Sequence, residues 1–167
     1  MRNSISALLI AAALGVSATA GAATTTTTFN VTATVAATCS GTATNLAFGT
    51  YTPGAGGLTG SSAVSVKCTK NTAFTVTLNA GTTTGTALAQ RLLASGTNTL
   101  QYNLYKDAAF GTIFGDGTGG TGSVLGTGNG VATAVSVPVY GQLLDSATNQ
   151  NAVPGSYSDT ITASITY

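Results

Sequence analysis

Residues 157–167 read YSDTITASITY. From Ile161 onward the residues alternate. Ile161, Ala163, Ile165 and Tyr167 fall on one side of an extended chain, and Thr160, Thr162, Ser164 and Thr166 fall on the other. Period-two alternation of this kind marks a half-buried strand. The sequence stops inside the pattern, so the expectation is an edge strand that no later strand covers. Its backbone donors and acceptors on that side would be unpaired. A second alternating stretch, FNVTATV at residues 29–35, stands near the other end. Phe29, Val31, Ala33 and Val35 share one face there, and Asn30, Thr32 and Thr34 share the other.

Between these ends the same period recurs. Val64, Val66 and Cys68 alternate with polar partners, as do Phe74, Val76 and Leu78, then Leu100, Tyr102 and Leu104, then Val135, Val137 and Val139. Gly, Asn and Pro punctuate the joints. Thr, Val and Gly are abundant and straight-chain helix formers are few, so helix is disfavoured throughout. One stretch, ALAQRLLA at residues 87–94, has the composition for a helical turn or two. The glycine-rich residues 111–130 read as a mobile surface loop. Short antiparallel strands with turn-rich joints give an all-β sandwich. Phe74, Tyr102, Tyr140 and Tyr157 are assigned to core or cross-strand packing.

Charge is scarce: five basic and four acidic side chains in 167 residues, with a formal net charge of +1. No basic stripe exists for a nucleic acid, and no cluster of Lys or Arg for a membrane surface. Low charge also removes repulsion between copies and favours self-association. Residues 1–23 have the build of a secretory signal peptide: Arg2, an apolar run over residues 5–16, and Ala18-Thr19-Ala20, with Ala20-Gly21-Ala22 as the second choice, for a small-residue cleavage site. The run is too short to span a bilayer. The remaining chain, about 145 residues, suits one domain. An exported chain with an even number of cysteines points to a disulfide, here Cys39 with Cys68. Closing a loop of about 30 residues contributes roughly 3–4 kcal/mol on the chain-entropy model.

The chemistry of enzymes is poorly represented. There is no histidine, so Ser-His-Asp and Cys-His arrangements and imidazole zinc sites are impossible. The four carboxylates, Asp107, Asp116, Asp145 and Asp159, are isolated in sequence. The GxGxxG match from Gly117 to Gly122 lacks the strand and helix that would make it a dinucleotide loop. Asn30-Val31-Thr32 is a formal glycosylation sequon and reads as strand alternation. No enzyme activity and no cofactor or metal are expected.

The ordered set of motifs resembles the spore coat protein U domain, the fold shared with subunits of archaic, Csu-type chaperone–usher pili. The alternating leader Phe29-x-Val31-x-Ala33-x-Val35 is followed by Cys39, then Leu46-Ala-Phe48-Gly49-Thr-Tyr51 and Val64-x-Val66-x-Cys68-Thr69. Arg91-Leu92-Leu93, Leu100-x-Tyr102-x-Leu104-Tyr105-x-Asp107, Phe114-Gly115-Asp116-Gly117, Val139-Tyr140-Gly141 and Gly155-x-Tyr157-x-Asp159 complete the set. Phe114 stands where the family usually carries Trp. The resemblance implies an incomplete immunoglobulin-like β-sandwich completed by a donor strand from a neighbouring subunit. Residues 24–37 would be that strand, with Phe29, Val31, Ala33 and Val35 as its plugs, and residues 38–167 the pilin domain. Ile161, Ala163, Ile165 and Tyr167 would form the edge of the acceptor groove, first gripped by a chaperone. The implied partners are further copies of the chain, a periplasmic chaperone and an outer-membrane usher. The implied location is the cell surface, in fibres supporting attachment and biofilm. A secreted carbohydrate- or surface-binding module and a spore or cell coat protein are the alternatives.

Overall fold

The computed structural model describes residues 20–167; residues 1–19, which hold most of the expected signal peptide, lie outside the described residues. The chain divides into two units, Met1–Thr34 and Val35–Tyr167. In the first, residues 20–34 carry no regular secondary structure, and Phe29 and Val31 are each 84% exposed.

The second unit is built from short strands. In chain order they are β1 (Cys39–Ala43), β2 (Leu58–Cys68), β3 (Ala73–Leu78), β4 (Arg91–Ser95), β5 (Asn98–Tyr105), β6 (Val124–Thr127), β7 (Val135–Leu143), the helical turn α1 (Ala147–Gln150) and β8 (Ala163–Thr166). Five strands form one antiparallel sheet in the order β1-β2-β7-β5-β4, and three form another in the order β6-β3-β8. Alternation decides what lies between them. Val64, Val66 and Cys68 from β2, Leu100, Tyr102 and Leu104 from β5, and Val137, Val139 and Leu143 from β7 are buried. They meet Phe74, Val76 and Leu78 from β3 in a single cluster. Each fully buried Val, Leu or Phe contributes roughly 1.5–3 kcal/mol of transfer free energy, so this layer is the main source of cohesion.

Two expectations are corrected. Residues 87–94 are not helical: an Ala87–Gln90 bridge closes a tight turn, and β4 follows, pairing Arg91 with Tyr102 and Leu93 with Leu100. Non-local pairing with β5 overrides a weak local helix preference, as tertiary context commonly does. Residues 111–130 are not a structureless loop, for they contain β6 and a fully buried Phe114. The Phe114 N–H donates to the Leu104 carbonyl at 2.8 Å. The Gly115 N–H donates to the Gly122 carbonyl at 2.9 Å. An aromatic anchor and backbone bonds therefore fold the glycine-rich stretch against the sandwich.

Candidate strand-accepting groove

Each sheet ends in a strand with only one neighbour. β1 pairs only with β2, and β8 pairs only with β3, among the described residues. Register shows which side of each faces the core. Cys39, Gly41 and Ala43 stand opposite Cys68, Val66 and Val64, all three of which are buried. Gly41 and Ala43 therefore lie on the inward side of β1, yet both are exposed. On β8, Ala163 and Ile165 stand opposite buried Leu78 and Val76 and are half-buried themselves. A side chain placed at Gly41 would run into Ile165, so the two open edges face one another. No backbone hydrogen bond joins them among the described residues. The inward residues of β1 are small and exposed, and Ile165 reaches across from β8 to Gly41, so the two edges meet through a side chain without pairing.

The two lips run in opposite directions. Cys39, disulfide-bonded to Cys68, opens β1 beside the turn that joins β2 to β3. Tyr167, which follows β8, lines a cleft with Ala73, Phe74 and Leu125 at that same end of the sandwich. The segment that leads into β1 and the end of β8 thus share one end of the second unit.

The remaining sequence candidates are distributed as follows. Ile161 precedes β8 and is half-buried against the core, while Tyr167 is 60% exposed. Val35 and Ala33 are exposed and belong to no strand, like Phe29 and Val31. Gly41 and Ala43 went unnoticed in the sequence. Their signal, small residues two apart after Cys39, is faint because they carry little apolar surface.

The four Asp side chains hold loops. Asp145 accepts from the N–H groups of Gly54 and Gly56, each at 3.1 Å, and from the Tyr51 hydroxyl. Burial and this hydrogen bond push the Tyr51 hydroxyl up to about 12, while the same bond lowers Asp145. Asp107 accepts from the Gly111 and Thr112 N–H groups at 2.9 and 2.8 Å, which lowers it too. Asp116 is lowered by the Thr118 hydroxyl and N–H. Asp159 is pushed up by burial, but the Thr82 N–H and the Tyr102 hydroxyl outweigh this and leave it lowered. These are capped carboxylates with their lone pairs occupied by N–H and O–H donors. Among the described residues no group of three His, Cys, Asp or Glu side chains is placed to hold a metal ion. No helix there is long and apolar enough to cross a membrane.

Comparison with known proteins agrees with this architecture. Protein U of Myxococcus xanthus is 36% identical over 184 aligned positions, covering 100% of this chain and 98% of that protein. A chain in the crystal structure of the CsuC-CsuE chaperone–tip adhesion subunit pre-assembly complex, from archaic chaperone-usher Csu pili of Acinetobacter baumannii, has a similar fold. Its TM-score is 0.57 at 22% identity, over 80% of this chain and 41% of that one, so this chain spans less than half of it. A family model described as the Spore Coat Protein U domain matches residues 25–164, and the chain belongs to that family.

Proposed function

We propose that this protein is a structural pilin-type subunit that polymerises by donor-strand exchange. It is not an enzyme. The observation that carries the reading is the pair of unpaired edges, β1 and β8, with Gly41 and Ala43 exposed on the inward side of β1 opposite buried Val66 and Val64. An added strand would have to part β1 from β8, moving Ile165 off Gly41, and would then hydrogen-bond to both free edges while its alternate side chains packed between them. Phe29, Val31, Ala33 and Val35 supply that alternation from the exposed leader. Burying each Phe or Val contributes roughly 1.5–3 kcal/mol, with about 0.5–1.5 kcal/mol for each backbone hydrogen bond.

Direction follows from where the leader leaves. Cys39 and Tyr167 share one end of the sandwich. A donor running antiparallel to β8 would place its own domain beyond the opposite end, leaving the acceptor's leader free to reach the next copy. That contact is heterologous and propagates into a fibre. A donor running parallel to β8 would bring two leader-bearing ends together and close a pair.

Exposed apolar edges need cover before assembly. A periplasmic chaperone that lends a strand, and an outer-membrane usher that trades it for the next leader, would supply that cover. The chaperone–tip subunit complex of similar fold supports this scheme. The chain would be exported with its signal peptide removed and displayed in surface fibres that serve attachment and biofilm formation. Deleting residues 24–35 tests the reading. The shortened subunit is expected to stay folded and chaperone-bound while shed fibres disappear from electron micrographs. Fibres of ordinary length from that deletion would overturn the proposal.

A further inference from the structure

Arg91, the first residue of β4, is completely buried. Its hydrogen bonds among the described residues go to uncharged oxygens. Nε and Nη2 donate to the Asn79 carbonyl at 3.1 and 2.8 Å, Nη2 also to the Phe114 carbonyl at 2.7 Å, and Nη1 to Asn103 Oδ1 at 2.6 Å. Asn103 is held in turn, its Nδ2 donating to the Ala89 and Leu88 carbonyls at 2.7 and 3.2 Å. A buried cation is costly to desolvate. Packing alone would favour an apolar side chain here, so what the guanidinium holds in place is informative.

It holds Asn79, the residue after β3, and Asn79 holds the approach to β8. The Asn79 N–H donates to the Thr162 carbonyl at 3.1 Å, and its Oδ1 accepts from the Thr162 N–H at 2.9 Å. Residues 158–162 are tied at two further points. Ser158 exchanges backbone hydrogen bonds with Ala94 of β4, at 2.9 and 3.0 Å. Asp159 accepts from the Tyr102 hydroxyl on β5 at 2.7 Å and from the Thr82 N–H at 2.9 Å. The root of β8 is thus fastened to both sheets, whereas beyond it β8 has only its ladder with β3.

We infer that Arg91, acting through Asn79, is a positioning residue of the acceptor groove, setting the root of β8 before a second copy's strand arrives. The inference rests on the donor-strand reading for the identity of that strand, but the anchoring of the root does not. Ordering an edge in advance removes part of the entropy that binding otherwise costs. Only a planar fork can reach two carbonyls and an amide oxygen together, so lysine is a poor substitute.

The test compares Arg91→Lys and the milder Asn79→Ala with Val139→Ala, a core truncation in β7, all in the full chain. Two quantities are read: hydrogen exchange at the Thr162 amide, and the rate at which dissociated subunits capture a labelled peptide spanning residues 24–37. Both root variants are expected to speed Thr162 exchange by about tenfold or more and to slow capture. Asn79→Ala tests the Thr162 end of the anchor, and Asn103→Ala, which frees Nη1, tests the Arg91 end if Arg91→Lys does not fold. Val139→Ala should lower the melting temperature without slowing capture. Unchanged Thr162 protection in Asn79→Ala overturns the anchor, and unchanged protection in a folded Arg91→Lys or Asn103→Ala overturns Arg91's part in it. Equal slowing by Val139→Ala reduces Arg91 to an ordinary core group and overturns its positioning role. Should the wild type capture no peptide, the exchange reading fails, and Thr162 protection still decides whether Arg91 fastens the root.

Discussion

The two lips of the groove are secured at opposite ends and by different chemistry. β1 is fastened covalently at its start, where Cys39 meets Cys68, and its later inward residues, Gly41 and Ala43, are small and exposed. β8 is fastened at its root by a polar network running from Arg91 through Asn79 to Thr162, and its inward residues are Ala163 and the larger Ile165. On the proposed reading, edges that take in a strand must part without the sandwich coming apart. Pinning each lip at one end leaves the middle of both edges unpaired. The contrast also separates a fastening that depends on oxidation from one that depends on hydrogen bonds to a buried cation and a carboxylate.

The strongest way to break this symmetry is to remove the disulfide. Replacing Cys39 and Cys68 together by serine is expected to cost roughly 3–4 kcal/mol on the chain-entropy model, a large part of the 5–15 kcal/mol typical of a domain. The drop should appear in the urea midpoint. Amide exchange should rise at Thr69, whose N–H donates to the Thr38 carbonyl at 3.0 Å beside the bridge, more than at Thr162. Equal loosening at both amides would mean that the lips are not independently secured. A smaller perturbation addresses the other lip. Ile165→Ala removes the side chain that rests against Gly41 and is only half-buried. Full burial would put the cost at about 2–5 kcal/mol, so about half of that is expected by calorimetry. Peptide capture should weaken, because an apolar contact for the incoming strand is gone.

Much of this lip-and-core arrangement is legible in the residues, and the failures have physical causes. β2, β3, β5 and β7 announce themselves because each buries one face, which writes apolar residues at every second position. The end of the chain carries the same signature, although only residues 163–166 are strand. β4 is hidden, because Arg91 at a core position and adjacent leucines break the alternation that its pairing with β5 would otherwise print. Phe114 and β6 are hidden by glycines, whose backbone hydrogen bonds leave no trace in composition. The bare lip is the hardest to see. An inward face built from Gly41 and Ala43 leaves no hydrophobic pattern, and it is recognised only when its partners across β2 prove to be buried.

Acid offers the finest discrimination between the two fastenings. Asp159 sits below the usual carboxylate range because hydrogen bonds from the Thr82 N–H and the Tyr102 hydroxyl outweigh the upward push of burial. A carboxyl whose folded pKa is depressed contributes stability that is fully present above its unfolded value, about 3.9. That contribution is lost as pH falls through the lower folded value. The β8 root should therefore be intact at neutral pH and loosen only below about pH 4. Arg91 stays charged throughout that interval, so its bonds to Asn79 persist and the loosening should be partial. No Asp side chain hydrogen-bonds to the disulfide end of β1 among the described residues, so that end should respond less. Taking the Thr162-to-Thr69 ratio of exchange rates cancels the intrinsic pH dependence of amide exchange. That ratio is expected to be flat from pH 7 to about pH 5 and to rise modestly below pH 4. With Asp159→Asn the step should vanish, and a step that survived would move the acid sensitivity to Asp107, Asp116 or Asp145, away from the groove.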